Sequence, residues 1–205
     1  MFDKEIQYFL QKPLNFLGNY VLRYFTPNQV TLFSFLFGIM MCISIFFELY
    51  YIALLFLIIN RLGDGLDGAM ARLTSPTPLG GYLDIVFDFL IYSGFLLAFG
   101  LNNNDHLTSA LILLFCYIGT GTTYLANSAL SNTLNLPNNN ELGFKNKMIN
   151  KNIKYAYGLV EGFETILFMI LCLLAPNLFN FLSIIFIILC LCTFITRIYV
   201  SYKAF

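Results

Sequence analysis

A chain of 205 residues that is 59% hydrophobic and only 11% charged departs from soluble domains, which carry roughly 45–50% apolar and about 25% charged residues. Its eleven basic and eleven acidic residues cancel, so no basic surface is available for nucleic acid, and no nucleic-acid-binding motif is present. The composition is that of an integral membrane protein.

Residues 1–26 mix Asp3, Lys4, Glu5, Lys12 and Arg23 with aromatic and aliphatic side chains, and show no cleavable signal-peptide pattern. Leu10, Leu14, Leu17 and Leu22 line one face of a helix. The segment therefore reads as an amphipathic helix at the membrane interface, broken near Pro13, although a helix packed on a partner helix would show the same pattern.

Crossing a bilayer as a helix takes about 20 mostly apolar residues. Runs of that kind cover roughly 31–47, 50–72, 80–99, 107–130, 156–175 and 178–200. The expected fold is all-α: one domain over 1–205, in which the interfacial segment precedes a six-transmembrane-helix bundle over 27–205. Pro176 and Asn177 leave only a tight turn before the last run, so five spans is the competing count. The five cysteines (Cys42, Cys116, Cys172, Cys190 and Cys192) all lie in apolar runs and read as small buried residues.

With six spans, both termini share a side with the loops after spans two and four. Lys4, Lys12, Arg23, Arg61, Arg72, Lys145, Lys147, Lys151, Lys154, Arg197 and Lys203 all fall on that side or at the span ends facing it. The opposite loops hold only Glu48, Asp105 and His106. By the positive-inside rule both termini are cytoplasmic. The Asn- and Lys-rich segment 131–155 reads as a cytoplasmic loop, and His106 as a lone residue of an outer turn with no metal or catalytic role.

Spans two and three contain carboxylates that apolar packing does not explain. Asp64 and Asp67 are three residues apart on one helix, and Asp84 and Asp88 are four apart on the next, so each pair projects from one helical face. The short linker 73–79 makes the two helices antiparallel neighbours whose acids meet near the cytoplasmic end. One uncompensated carboxylate at mid-bilayer costs about 2.5–3.5 kcal/mol on insertion scales, and crowded carboxylates repel. Divalent cations remove both difficulties, and oxygen-only ligands suit Mg²⁺ or Mn²⁺. Gly68 and Gly80 clear space beside the acids for a bulky substrate, and Arg72 offers a fork of donors to a phosphate. Pairing with Arg61 and Arg72 alone leaves two of the four aspartates without a cation. A cation transporter is the other functional reading; its acids would sit at the midplane and recur in a second half, and here they do neither.

The stretch Asp64 to Asp88 resembles, at every fixed position, the signature of the CDP-alcohol phosphatidyltransferases: D-x-x-D-G-x-x-A-R, a gap, then G-x-x-x-D-x-x-x-D. Pro27-Asn28-Gln29-Val30-Thr31 resembles a P-N-x-x-T element of the same family. The resemblance implies a phosphatidyl transfer from CDP-diacylglycerol to an alcohol acceptor, in the inner membrane of a bacterium, with the active site cytoplasmic. It implies a two-metal centre of Mg²⁺ or Mn²⁺ on Asp64, Asp67, Asp84 and Asp88, with Asp88 also the base. It places Gly68, Ala71, Arg72, Gly80, Asn28 and Thr31 at the CDP pocket, and implies a homodimer. A homologue that keeps the fold without activity is the remaining rival, and it would be expected to have lost an aspartate.

The acceptor is less legible. Family members that make phosphatidylglycerol phosphate often end the motif D-P-x-x-D-K, whereas this chain reads Asp84-Ile-Val-Phe-Asp88-Phe89. Arg61, Lys154 and Arg197 are candidate cations for a phosphorylated acceptor. Glu161 and Glu164, one turn apart inside the fifth apolar run, are acceptor-binding candidates together with Arg197, the alternative being that they simply pair with Arg197 as ions. The stretch around them resembles an E-G-x-E-T segment of a poorly characterised bacterial branch. Thr120, Thr122, Thr123 and Asn127 are expected to form interhelical hydrogen bonds.

Overall fold

The computed structural model describes residues 3–133 and 158–204, and all regular structure among them is helical. Seven α-helices follow in order: α1 (Asp3–Val21), α2 (Pro27–Phe46), α3 (Tyr50–Leu73), α4 (Pro78–Asn102), α5 (Asn104–Thr133), α6 (Gly162–Leu174) and α7 (Phe179–Ala204). Local chemistry sets several of their ends. Pro27 and Pro78 open α2 and α4, where a missing N–H costs nothing. Ahead of them, the Thr26 N–H donates to Gln29 Oε1 at 2.9 Å, and the Thr77 hydroxyl accepts from the Gly80 N–H at 3.0 Å. Glu48 closes α2 in the left-handed region, at φ 60°, which turns the Leu49 N–H back to the Ser44 carbonyl.

Among the described residues four stretches, Pro27–Phe46, Pro78–Asn102, Asn104–Leu130 and Pro176–Lys203, are long and apolar enough to cross a membrane. The last includes one 3-10 turn at Pro176–Leu178, the tight turn expected before the final run. α3 has 24 residues, enough for about 36 Å, but its second half carries Arg61, Asp64, Asp67 and Arg72. α6 differs most from expectation. Residues 158–161 are not helical, and the helix begins at Gly162 rather than near 156. Its 13 residues rise only about 20 Å, short of a core of about 30 Å. The remainder of the expected loop 134–155, with Lys154, lies outside the described residues, while 131–133 extend α5.

α1 also departs from the sequence reading. It runs through Pro13 without a break. Proline here forfeits one backbone bond, and packing of α1 on α3 holds the helix across it. A Cβ on Gly18 would meet Leu73 Cδ1 at 3.3 Å, and one on Gly65 would meet Leu14 Cδ1 at 3.3 Å, so two glycines bring these helices close. The inward face is Leu14, Gly18 and Leu22, whereas Leu17 points outward with Phe16 and Tyr20.

α2 is the hub. It packs against both α3 and α4, while α4 packs on α5, α5 on α7, and α6 against α3 and α7. The backbones of α3 and α4 stand apart, and the two helices meet through long polar side chains, Arg61 of α3 with Asp88 and Tyr92 of α4. At the end of the bundle away from the acids, Phe99 stacks on Phe179 (centroids 4.5 Å apart) and Phe168 on Phe186 (4.4 Å). His106 is buried against Phe99 and Phe179 rather than exposed in a turn. Three cysteines are buried and Cys42 is half-buried, but Cys192 faces outward. The outer surface is apolar, with Phe33, Leu36, Leu97, Phe115, Phe181 and Ile188 exposed, as a lipid-facing surface requires.

Glycine sets the α2 contacts. A Cβ on Gly38 would overlap the Ile91 side chain of α4 and stand 3.2 Å from Asn60 Nδ2 of α3. Gly38→Val is therefore expected to lower stability by about 1–3 kcal/mol through overpacking, read as thermal unfolding in detergent. Adding Ile91→Ala should recover part of the loss; a double variant no better than the single would place the strain elsewhere.

Candidate active site

A cavity of about 790 Å³ opens between the end of α3, the start of α4, the start of α2 and the inner face of α1. Asn28, Thr31, Asp64, Asp67, Gly68, Ala71, Arg72, Gly80 and Asp84 all line it, so three of the four aspartates and all six residues expected at the CDP pocket meet there. Asp88 lies in a small adjoining recess, whose wall it shares with Asp64, Asp84, Thr31, Asn60 and Arg61. The helical spacing explains the arrangement: Asp84 faces the mouth, and Asp88, one turn on, faces the recess.

The two glycines, both expected to clear space for a substrate, differ in surroundings. A Cβ on Gly68 would meet only the tip of the Arg72 side chain, at 3.4 Å, so Gly68 borders open space. A Cβ on Gly80 would stand 3.1 Å from both Asn28 Oδ1 and Thr77 Oγ1, so its absence lets α2 and α4 approach at the mouth. Leu14 and Leu22 add an apolar wall from α1.

Charge is distributed unevenly over the four acids. Arg61 Nη2 donates to Asp88 Oδ1 at 2.8 Å, and Arg61 Nη1 lies 3.5 Å from Asp64 Oδ2. The Tyr92 hydroxyl donates to the other Asp88 oxygen at 3.2 Å. Asp67 is only 6% exposed, and its Oδ2 is buried with no hydrogen-bond partner. An orphaned buried carboxylate oxygen is costly. Among the described residues no three metal-ligating side chains are gathered around one point, and Arg61 stands within the acidic group instead. Even so, an all-carboxylate set with one buried oxygen unsatisfied fits a hard divalent cation such as Mg²⁺ or Mn²⁺.

Two members of this site went unread in the sequence. Arg61 figured only as a neutralising or acceptor-binding cation, and Tyr92 not at all. The signals were present: Arg61 lies one turn before Asp64, and Tyr92 one turn after Asp88. Conversely, Glu161, Glu164 and Arg197 line neither cavity. Glu164 sits in the first turn of α6 and Glu161 just ahead of it, at the helix start rather than along the span. Glu161 precedes the first residue of α6, and its N–H donates to Glu164 Oε2 at 3.1 Å, a helix-start arrangement. Arg197 donates to the Thr120 carbonyl at 3.0 Å and lies over the Tyr124 ring. The α5 threonines bond carbonyls of their own helix rather than a neighbour's. The Asn127 side chain does accept a bond across helices, from the Ser201 hydroxyl at 2.7 Å.

Comparison with known proteins bears on the same residues. The CDP-alcohol phosphatidyltransferase family matches residues 24–199. The chain is 38% identical over 181 residues to the inner membrane protein YnjF of Escherichia coli (strain K12), covering 86% of this chain and 83% of that one. It is 37% identical over 87 residues to a bifunctional IPC transferase and DIPP synthase of Aquifex aeolicus (strain VF5), covering 42% of this chain and only 20% of that one.

Gly68→Val tests whether the cavity is a ligand site. A Cβ there meets only the flexible tip of Arg72, at 3.4 Å, so the unfolding temperature should stay within a few degrees of wild type. Binding of CDP, measured by calorimetry, should weaken at least about tenfold as the methyl groups occupy the pocket.

Proposed function

Since the chain belongs to the CDP-alcohol phosphatidyltransferase family, we propose that it transfers a phosphatidyl group from CDP-diacylglycerol to the hydroxyl of an alcohol, releasing CMP. The observation that carries this reading is the convergence of Asp64, Asp67 and Asp84, with Asn28, Thr31, Gly68, Ala71, Arg72 and Gly80, on one cavity that Asp88 adjoins. Family membership supports a transferase of this class; donor, metal and acceptor are the further step taken here.

In this reading the CDP group occupies the large cavity. Gly68 admits it close to the backbone, Gly80 lets α2 and α4 close in at the mouth, Arg72 pairs with phosphate, and Asn28 and Thr31 bound the opposite wall. Asp64, Asp67, Asp84 and Asp88 would hold Mg²⁺ or Mn²⁺, which supplies neutralisation of phosphoryl charge when bound. Asp88 accepts the hydroxyl proton as the alcohol oxygen bonds to the β-phosphorus. The bond from that phosphorus to the bridging oxygen breaks, and CMP leaves with its electron pair. No covalent enzyme intermediate is needed.

The proposed topology has six crossings, made by the four longer apolar stretches, α3, and the short α6 together with the non-helical residues 158–161 ahead of it, with the termini and the acidic site facing the cytoplasm. The one-sided distribution of Lys and Arg supports that orientation, and the likeness to an inner membrane protein supports the membrane location alone. The chain is expected to work as a homodimer. The acceptor stays at the level of an alcohol, because the Aquifex relative is matched over too small a part of its length to lend one.

CMP release by purified protein, given CDP-diacylglycerol, Mn²⁺ or Mg²⁺ and a panel of alcohols, tests the proposal. Release should depend on one alcohol, vanish with EDTA and return with the metal. Asp88→Asn should lower turnover by about 10²–10⁴-fold, the usual contribution of a positioned base. Metal flux in sealed vesicles without CDP-diacylglycerol, and no CMP with any alcohol, would instead indicate a transporter.

A further inference from the structure

Arg61 is anchored in a way that a simple neutralising cation need not be. Its Nε donates to Asn60 Oδ1 at 2.8 Å, and Asn60 Nδ2 donates in turn to the Ser34 carbonyl of α2 at 2.8 Å. Asn60 is 2% exposed. Glycine makes room for this anchor, since a Cβ on Gly63 would stand 2.8 Å from the Ser34 hydroxyl. The guanidinium face lies over the Tyr92 ring, 5.7 Å from its centroid. From that seat the fork spans the gap between α3 and α4 and bonds Asp88 at 2.8 Å.

Asp88 is thereby gripped at both oxygens, one by Arg61 and one by Tyr92. Asp67, by contrast, keeps a buried oxygen with no partner, and Asp84 is exposed to the cavity. Asp64 receives a longer contact, 3.5 Å, from the same guanidinium, so the shorter Arg61 bond and the Tyr92 hydroxyl both go to Asp88. Arginine suits such orienting, because its planar fork fixes direction and it does not give up its charge.

We infer that Arg61, seated on Asn60, is a positioning residue that orients Asp88, with Tyr92 fixing the second oxygen. The inference rests on the proposed transfer reaction, in which Asp88 takes the proton. Each Asp88 oxygen keeps a lone pair beyond the bond it accepts, so the carboxylate can be both held and reactive. The same cation sits among four carboxylates and opposes any further positive charge placed there.

This assignment predicts effects of opposite sign in one variant. Arg61→Met should lower kcat about 100-fold, with KM for CDP-diacylglycerol and for the alcohol within about threefold of wild type. The same variant should bind Mn²⁺ about tenfold more tightly, read by electron paramagnetic resonance without turnover, because a competing positive charge has left. A merely structural role would weaken metal binding and turnover together. Arg61→Lys, which keeps the charge but loses the fork, should recover about tenfold in kcat over Arg61→Met and leave Mn²⁺ affinity near wild type. Tyr92→Phe should lower kcat about tenfold with Mn²⁺ affinity unchanged. If Arg61→Met does not fold, Arg61→Lys and Tyr92→Phe decide: wild-type kcat in both overturns the assignment. Unchanged or weaker Mn²⁺ binding by folded Arg61→Met also overturns it. Should the wild type release no CMP with any alcohol, the transfer reading falls, and the Mn²⁺ measurement alone upholds or overturns the place of Arg61.

Discussion

The arrangement depends on one ion pair, Arg61 with Asp88, drawn across a gap that α3 and α4 leave between them. Four carboxylates within an apolar bundle would otherwise repel one another and resist burial. A single fixed cation removes that difficulty for two of them and leaves the other two facing the cavity. The cation also ties two helices whose backbones stand apart, so the opening between them is kept as a usable space rather than closed by packing.

α2 makes that possible. It lies against both helices, and its glycine and serine positions bring backbones close enough for Asn60 to reach the Ser34 carbonyl. The polar chain from Ser34 through Asn60 and Arg61 to Asp88 and Tyr92 is built from side chains with matched donors and acceptors, as buried polar groups require. The aromatic stacks around Phe99 and Phe179 hold the far end of the bundle, so the acidic end can stay open without loosening the whole. Chemistry and packing are segregated along the helix axes.

Much of the site was legible because helical periodicity is a local property. Asp64 with Asp67, and Asp84 with Asp88, could be placed on shared faces from spacing alone, and the residues between them fell where the signature put them. What spacing did not carry was anything set by a third element. The gap between α3 and α4 depends on α2. The partner of Arg61 lies on another helix, so Arg61 read as one of several span-end cations. Hydropathy failed at Glu161 and Glu164 for a related reason: an average over 156–175 reports apolarity, while the α6 start is set by one side chain returning to one N–H. The outward turn of Leu17 escaped as well, because a leucine pattern does not say which of two adjacent faces the glycines of a neighbour will admit.

The polar chain around Arg61 also bears on how such a bundle is assembled. An isolated α3 would take Arg61, Asp64 and Asp67 toward hydrocarbon, at about 2.5–3.5 kcal/mol each near the bilayer centre. The groups that offset this cost belong to other helices: Ser34 to α2, synthesised earlier, and Asp88 and Tyr92 to α4, synthesised later. α3 on its own has no low-energy resting place in the bilayer and acquires one only when its neighbours on both sides have arrived. In the finished bundle the polar half of α3 is thus matched from both sides, by α2 through Ser34 and by α4 through Asp88 and Tyr92.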